Sequence, residues 1–477
     1  MAFVEEPAEI PAAADLGGVH FVGVGGAGMS GIARIMLARG VAVSGCDAKD
    51  SRALAALRVL GAEVSIGHAA EHVDAVDTLV ISSAIRSDNL DLVAARERDL
   101  RILPRAAALA SVMADSRGLA VAGTAGKTTT TSMVTVVLQA CGRDPSYAIG
   151  GDLNEPGSNA HAGTGEFFVA EADESDRSFL LLSPEAAIVT NVEPDHLDNY
   201  GRAENVAAAF EMFIDRIAEN GIAVLGADDA GSRALAERAR ARGLQTVLFG
   251  AADDADVRVD DLRLIASGSQ FGLISGGRRL GDVTLQVPGR HNATNAAGAL
   301  ALGLAVGLPF TDMARGIAEF TGARRRFELK GSARQVRVYD DYAHHPTKVR
   351  AALAAARQVV GAGGRVIAVF QPHLFTRTAF FSRDFGRALG AADAVVVMDV
   401  YGAREDPIPG VTGALVAEAV PLPADCVVFE PSWSAVPAHV ARLARPGDLV
   451  LTIGAGDVTM LGNEILDALD PPVRAQP

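Results

Sequence analysis

Short apolar runs alternate with alanine-rich amphipathic stretches along almost the whole chain, the pattern of α/β units with mostly parallel sheets. "GVHFVGVGG", "VAVSGCD", "EVSIG" and "TLVISSA" read as strands with helices between them. This first series ends near "LASVMADSRG", where polar residues and a glycine break the apolar pattern. A second series opens at "LAVAGTAGKTTTT" and runs through "FFVAEAD", "AAIVTNV" and "GIAVLGADD". Within it, residues 250–287 alternate polar and apolar positions like antiparallel β. A third series follows "FTGARRRFELKG" with the strands "RVIAVFQP", "AVVVMDVY", "CVVFEP" and "DLVLTIGAGD". The pattern predicts an α/β chain of three domains, 1–115, 116–322 and 323–477. The tail "DPPVRAQP" reads as disordered.

Composition narrows the function classes. A length of 477 residues agrees with three domains. A net charge of −15 argues against a nucleic-acid or anionic-membrane surface while leaving room for local basic pockets. Cys46, Cys141 and Cys426 are few and far apart, which gives neither a disulfide framework nor a metal-binding spacing and fits a reducing compartment. The acidic, proline-punctuated start "MAFVEEPAEIPAAADLGG" has the wrong chemistry for a signal peptide. "NATNAAGALALGLAVGLPF" is uncharged but carries Asn, Thr, Gly and Pro, so it reads as a buried helix packed through small residues, not a membrane span. A soluble, cytoplasmic protein is expected, monomer or homodimer, with small-molecule partners.

Two glycine-rich turns carry the chemistry. "VHFVGVGGAGMSG" is a strand running into a G-x-G-x-x-G turn with Asp47 about 20 residues on, the fingerprint of a dinucleotide site. "LAVAGTAGKTTTTSM" is a strand, a short Gly-bounded loop and Lys127-Thr128 opening a helix. Gly123, Thr124, Ala125, Gly126, Lys127, Thr128 and Thr129 would cradle phosphate, with Lys127 on the outer phosphates and Thr128 on Mg²⁺. Val121 stands where the longer P-loop has its first glycine, so this is the short G-x-x-G-K-T-T form. The chain has four lysines against some forty arginines, which makes a lysine at this position informative. Two further strands end in acidic loops: "FFVAEADESDRSFL" delivers Glu171, Asp173, Glu174 and Asp176, and "AAIVTNVEPDHLDNY" delivers Asn191, Glu193, Asp195 and His196. Ligands bind at such strand ends in open α/β sheets, and oxygen donors beside a triphosphate suit Mg²⁺. The competing reading of each acidic loop is a solvated surface.

The remaining stretches admit two readings apiece. "VPGRHNATNAAG" puts Asn292 and Asn295 at a helix entry, where Asn292 alone reads as a cap. "TGARRRFELKG" sets three arginines at a domain junction, either reaching phosphate or merely solvated. "VYDDYAHHPTKV" and "VFQPHLFTRT" end strands with His, Asp and Arg, suited to an amino-acid carboxylate or a ribose, or to capping.

In this order, these landmarks together with "SSAI", "GRHNATNA" and "RRFELKG" resemble the Mur ligases of peptidoglycan synthesis over nearly the whole chain. The likeness is strongest to the branch that adds L-alanine to UDP-N-acetylmuramate. It implies a Rossmann-like N-terminal domain for the UDP-sugar, a central ATPase domain and a Rossmann-like C-terminal domain for the amino acid. It implies ATP-dependent amide formation through an acyl phosphate, with UDP-N-acetylmuramate, L-alanine and ATP as partners and Mg²⁺, two ions, as cofactor. By position, Gly25, Gly26, Ala27, Gly28, Met29, Ser30, Ser82 and Ser83 would bind the UDP-sugar. Lys127, Glu171, His196 and Arg326 would be catalytic, and Thr128, Glu171 and His196 would hold metal, with Glu174 a further candidate. Asn292, Asn295, Arg326 and Asp341 would complete the ATP site, and His345 and Arg377 would take the alanine carboxylate. Ala125 departs from the family's usual P-loop histidine, and Leu374 stands where some relatives have arginine. Residues 197–220 hold no lysine of the kind that sister ligases carbamylate. A tripeptide-recycling ligase of the same family and an NAD(P)-dependent oxidoreductase are the competing functions, and a nucleotide-binding scaffold without activity is the third.

Overall fold

A computed structural model describes residues 10–82, 84–150, 159–265, 267–361, 363–403 and 405–470. Ser83 and the C-terminal tail beyond Asp470 therefore lie outside the described residues. The chain divides into two compact units. One takes the chain through Asp260 with Gly272–Val283 and Thr294–Phe320, and the other takes Asp261–Phe271, Thr284–Ala293 and the chain from Thr321 on.

In the first unit, β1 (Val19–Val22), β2 (Val43–Asp47), β3 (Glu63–Ile66), β4 (Thr78–Ile81) and β5 (Arg101–Pro104) form a sheet of order β3-β2-β1-β4-β5. Every pairing in it is parallel. The strand order reverses direction at β1, so the glycine turn that follows β1 stands at the topological switch point, where open α/β sheets bind ligands. The residues of β1 divide between two faces. Val19 and Phe21 join the main core, while Val22 packs with Leu79, Ile81 and Leu92 in a smaller apolar cluster. Strand β5 escapes the sequence pattern because it is a four-residue edge with one fully buried position, too short to show alternation.

The second sheet has the order β15-β14-β13-β12-β11-β10-β6-β9-β7-β8. Its strands are β6 (Arg117–Ala122), β7 (Ser146–Ala148), β8 (Ala160–His161), β9 (Phe167–Glu171), β10 (Ala186–Val189), β11 (Ile222–Gly226), β12 (Gln245–Gly250), β13 (Val257–Ile265), β14 (Gly268–Ser275) and β15 (Arg278–Leu285). From β12 to β7 the pairing is parallel throughout. The β structure expected over 250–287 is present as β13 to β15. Gly276 and Gly277 link the last two strands with φ of 56° and 74°, the left-handed pair that a two-residue hairpin turn requires. The uncharged stretch is the helix Arg290–Ala305, buried through Ala293, Ala296, Ala297, Leu300 and Ala301. Gly298 earns its place there: a Cβ would stand 2.8 Å from the Phe249 ring.

In the second unit, β16 (Glu328–Ala333), β17 (Val336–Asp341), β18 (Val366–Phe370), β19 (Ala394–Val397), β20 (Val427–Phe429) and β21 (Leu449–Ile453) form a sheet of order β16-β17-β21-β18-β19-β20. Only its β16·β17 edge is antiparallel among the pairings. Both faces are covered: Val366, Ala368 and Phe370 enter one core, and Ile367 and Val369 enter the other. This two-sided burial explains the unbroken apolar runs that mark these strands in the sequence. Among the described residues no helix is long and apolar enough to cross a membrane.

Candidate functional site

The first turn is held from below by Asp47. Its carboxylate accepts from Gly25 N at 3.0 Å and from Lys49 N at 3.3 Å. A side chain at Gly25 would collide with Leu54 and Asp47 at under 3 Å, so the turn admits only glycine there. Asp47 thus braces the turn. The helix Ala27–Ala38 starts directly after it, presenting the first backbone N–H groups that a helix leaves unpaired. Met29 is buried in the core, and the two donors of Ser30 are used inside the helix, N–H on Gly26 O and hydroxyl on Ala27 O. Ala27, Gly28 and Met29 therefore supply the outward N–H groups, while Gly26 closes the turn through its own N–H on Gly23 O. Ser82 follows β4, its carbonyl accepting from Ile85 N. Asn159 donates to Ala27 O at 2.8 Å and accepts from Arg34, tying the helix start to β8.

Arg105 is a residue that sequence reasoning missed. Its guanidinium lies 3.1 Å from the position a Cβ on Gly28 would take, and its charge also acts on Asp173. It opens the helix Arg105–Met113. A cation at a helix N-terminus opposes the macrodipole, and that conflict was the available signal.

The second turn is built around two glycines. Gly123 has φ of 135°, and a Cβ on it would stand 2.0 Å from Thr190 Oγ1. Gly126, at φ 86°, caps the helix Lys127–Ala140. Thr190 and Asn191, at the end of β10, clamp the loop between them. Ala125 N donates to Asn191 Oδ1 at 2.9 Å, and Ala125 O accepts from Thr190 Oγ1 at 2.6 Å and from Asn191 Nδ2 at 2.9 Å. Thr124 is held by Asn191 O and by Glu193. Backbone contacts alone brace position 125, so alanine suffices there. The Ala125 N–H is thereby engaged inside the loop. Asn295 comes to this loop, its Oδ1 2.8 Å from where a Gly126 Cβ would stand. Asn292 instead donates to Pro288 O at 2.7 Å from inside the helix, so it is not a cap.

Lys127 sits in a nest of carboxylates. Its ammonium lies 2.5 Å from Glu174 Oε2 and donates to Gly123 O at 2.9 Å. Burial alone would lower its pKa, but Glu174, Asp173 and Glu171 outweigh burial and hold it above the ordinary value. Burial likewise opposes ionisation of Asp173, and Lys127 with the Ser175 N–H brings its pKa below normal. Glu171 accepts from Thr128 Oγ1 at 2.9 Å and from Gly150 N at 2.6 Å. His196 starts the helix Leu197–Tyr200 in the left-handed region, with Nε2 3.8 Å from both Glu174 Oε1 and Asp195 Oδ2. Thr128 meets Glu171 directly, while His196 joins the group through Glu174, which also pairs with Lys127. A hydroxyl already against a carboxylate, with mostly oxygen donors around it, fits a hard divalent cation.

In the second unit the arginine run and the Asp pair divide their work. Arg325 forms an ion pair with fully buried Asp340 at 3.3 Å and donates to Gly454 O and Gly456 O. Asp340 also accepts from Thr452 and Thr459 at 2.7 Å each. Arg326 lies over the Tyr342 ring, 5.2 Å from its centroid. Asp341 accepts from Phe327 N and Ala343 N. Burial raises its pKa to about 6, against the opposing pull of Arg326 and the two N–H groups. A carboxyl raised in the folded state binds its proton more tightly than in the unfolded chain, so its ionisation lowers stability as pH rises from about 4 to about 6. Asp341→Asn is expected to gain in Tm relative to the parent across that window and to hold a constant offset above it. A Tm difference independent of pH would contradict this.

His345 caps the helix Pro346–Val360, its Nδ1 facing Thr347 N, and packs edge-on against Phe381. Arg377, one turn before Phe381 on the helix Phe375–Leu389, is buried with Nη1 3.4 Å from His373 Nδ1. His373 stacks on Tyr401 and neighbours His344. These two predicted residues share one aromatic-lined corner.

Three family models match consecutive parts of the chain: the Mur ligase family catalytic domain over 18–117, the Mur ligase middle domain over 121–303 and the Mur ligase glutamate ligase domain over 325–456. The chain belongs to the Mur ligase family. Within it, the chain is similar to the UDP-N-acetylmuramate–L-alanine ligase of Acidothermus cellulolyticus, with 58% identity and 95% of each chain covered. The enzyme of that name from Saccharopolyspora erythraea is 57% identical over 96% of this chain and 95% of its own. Among solved structures, the UDP-N-acetylmuramate-alanine ligase of Thermotoga maritima matches with a TM-score of 0.78 and 28% identity, covering 94% of this chain and 98% of that one. A murein peptide ligase from Psychrobacter arcticus shares the Mur ligase fold with a TM-score of 0.67 at 23% identity, covering 95% and 99%.

Proposed function

We propose that this Mur ligase joins L-alanine to the lactyl carboxylate of UDP-N-acetylmuramate, with ATP as phosphoryl donor. The observation that carries the reading is identity of 50–58%, over nearly full length, to relatives named for that reaction. Residues 1–115 take the UDP-sugar, 116–322 take ATP and 323–477 take the amino acid.

A carboxylate and an amine do not condense in water unaided, so the carboxylate is first phosphorylated and the amine then attacks the acyl phosphate, releasing ADP and phosphate. Ala27, Gly28 and Met29 hold the UDP diphosphate at a helix N-terminus shaped by Gly25 and Gly26, which makes the first turn a pyrophosphate site and not a nicotinamide site. Asp47 supports this, because its carboxylate is engaged by the turn itself. Arg105 adds positive charge beside that turn. Gly126, Lys127, Thr128 and Thr129 cradle the ATP phosphates, and Lys127 exchanges Glu174 for the β- and γ-oxygens. Mg²⁺, two ions in this reading, would be held by Thr128, Glu171 and His196 and would neutralise the triphosphate. Asn292 and Asn295 serve the adenine side. Arg326 meets the γ-phosphate and Asp341 the nucleotide, and His345 and Arg377 take the alanine carboxylate. With no covalent step of its own, the protein works by positioning and charge neutralisation.

A coupled phosphate-release assay with UDP-N-acetylmuramate, ATP and Mg²⁺ tests the reading. Release with L-alanine and background with cell-wall tripeptide are expected, and the reverse would make it the recycling ligase. NADH binding without ATP binding would sink the ligase reading altogether.

A further inference from the structure

Beneath the first glycine turn lies a group of side chains that the ligase chemistry does not use. His20 on β1 and Cys46 on β2 point to the same sheet face, Val22 pairing with Cys46 and His20 with Ser44. Asp91, in the first turn of the helix Leu90–Glu97, and His72, in the short helix Ala70–Val73, close over them. His20, Cys46 and Asp91 are almost fully buried, and Cys46 belongs to the apolar cluster of Val22, Leu79 and Leu92. His72 and His68 reach solvent at the rim, with 19% and 28% of their side chains exposed.

We propose that His20 Nε2, Cys46 Sγ, His72 Nδ1 and Asp91 Oδ1 form a tetrahedral site for a divalent transition metal of the zinc class. The four ligand atoms lie within 4.8 Å of one another. A tetrahedral zinc ion with bonds of about 2.0–2.3 Å separates its ligands by roughly 3.3–3.8 Å. Three observed separations fall in that range: His20 Nε2 to Cys46 Sγ at 3.4 Å, Cys46 Sγ to Asp91 Oδ1 at 3.5 Å and His20 Nε2 to Asp91 Oδ1 at 3.7 Å. His72 Nδ1, at 2.7 Å from Asp91 Oδ1, is at hydrogen-bonding distance and must back away by under about 1 Å, which its place at the rim allows.

The four side chains converge on one oxygen. Asp91 Oδ1 is shared by Cys46 Sγ at 3.5 Å, His72 Nδ1 at 2.7 Å and His20 Nε2 at 3.7 Å, with His20 Nε2 a further 3.4 Å from the sulfur. A cation satisfies them together. On binding, the thiol proton leaves to solvent and His72 moves its ring proton to Nε2. The thiolate and carboxylate then balance the 2+ charge, so no net charge is buried. The outer contacts are also in place. Ser44 Oγ, 2.8 Å from His20 Nδ1, turns Nε2 toward the site, and His68 Nδ1 stands 3.0 Å from the second Asp91 oxygen. One thiolate, two imidazoles and one carboxylate select a zinc-like ion over Mg²⁺. Four protein ligands make it structural. Cys46 O accepts from Gly23 N and Val24 N, so the ion stiffens the turn that holds the diphosphate.

Co²⁺ added to the chelator-treated full-length protein tests the site. One equivalent is expected to give tetrahedral visible absorption and a thiolate-to-cobalt charge-transfer band, both displaced by Zn²⁺ and untouched by excess Mg²⁺. The charge-transfer band should vanish in Cys46→Ser and persist when Cys141 and Cys426 are both replaced by serine. His72→Gln, a rim change that spares the core, should weaken Co²⁺ binding at least about tenfold. Absence of the band in the parent protein, or its survival in Cys46→Ser, overturns the proposal. So does unchanged affinity in His72→Gln.

Discussion

Replacing Lys127 with alanine is expected to lower kcat by at least roughly 10²–10³-fold while leaving UDP-sugar affinity nearly unchanged. The ammonium is the basic group in the second turn, aimed where phosphate charge would accumulate, and the neighbouring groups Glu171, Asp173 and Glu174 are all anionic. Without Lys127 these carboxylates repel a triphosphate instead of delivering a counter-charge to it. Arginine should not rescue the loss, because the ammonium is seated between Glu174 and the Gly123 carbonyl, where a planar fork does not fit the same contacts. UDP-sugar binding should survive because the first turn follows β1 in a different sheet. Steady-state phosphate release and isothermal titration with UDP-N-acetylmuramate separate the two effects. An unchanged kcat would overturn the assignment of this loop to ATP.

Arg325→Ala is expected to destabilise the second unit by about 3 kcal/mol, the low end for breaking a buried ion pair. Asp340 is fully buried, and Arg325 supplies its counter-charge while also joining two carbonyls of the 454–456 loop. The two threonine hydroxyls on Asp340 solvate the carboxylate but cannot neutralise it. The remaining charge would have to be protonated or hydrated, either of which loosens the sheet at β17 and β21. Arg325→Lys should recover part of the loss through charge alone. Denaturant unfolding measures this directly, and a loss below about 1 kcal/mol would show that the pair contributes no more than a surface contact.

The adjacent pairs Arg325/Arg326 and Asp340/Asp341 mark how far the sequence could be read. A run of three arginines at a domain junction and a double Asp further along the chain announce charge, but which member turns inward depends on the β17 alternation and on strand β21 beside it. Burial decides it: Asp340 faces the core with Thr452, and Asp341 faces the loop of Phe327 and Ala343. Asp47 offers a second case. Its spacing from the glycines is that of a ribose ligand, yet spacing along the chain does not say whether a carboxylate reaches a ligand or the turn itself. Arg105 offers a third, since it comes to Gly28 only because β5 lies on the far side of β4 from β1.

By itself the sequence determined the α/β class, the two glycine-rich turns and the acidic strand ends. Those features are local: apolar runs of strand length, glycines needed for positive φ, and a lysine at the head of a helix are written in consecutive residues. The clamp of Asn191 on Ala125, the seating of Lys127 among three carboxylates and the His20–Cys46–His72–Asp91 group were decided only by tertiary structure. Each joins residues tens of positions apart through parallel strand order, and no periodicity or spacing in the chain encodes which strand ends become neighbours.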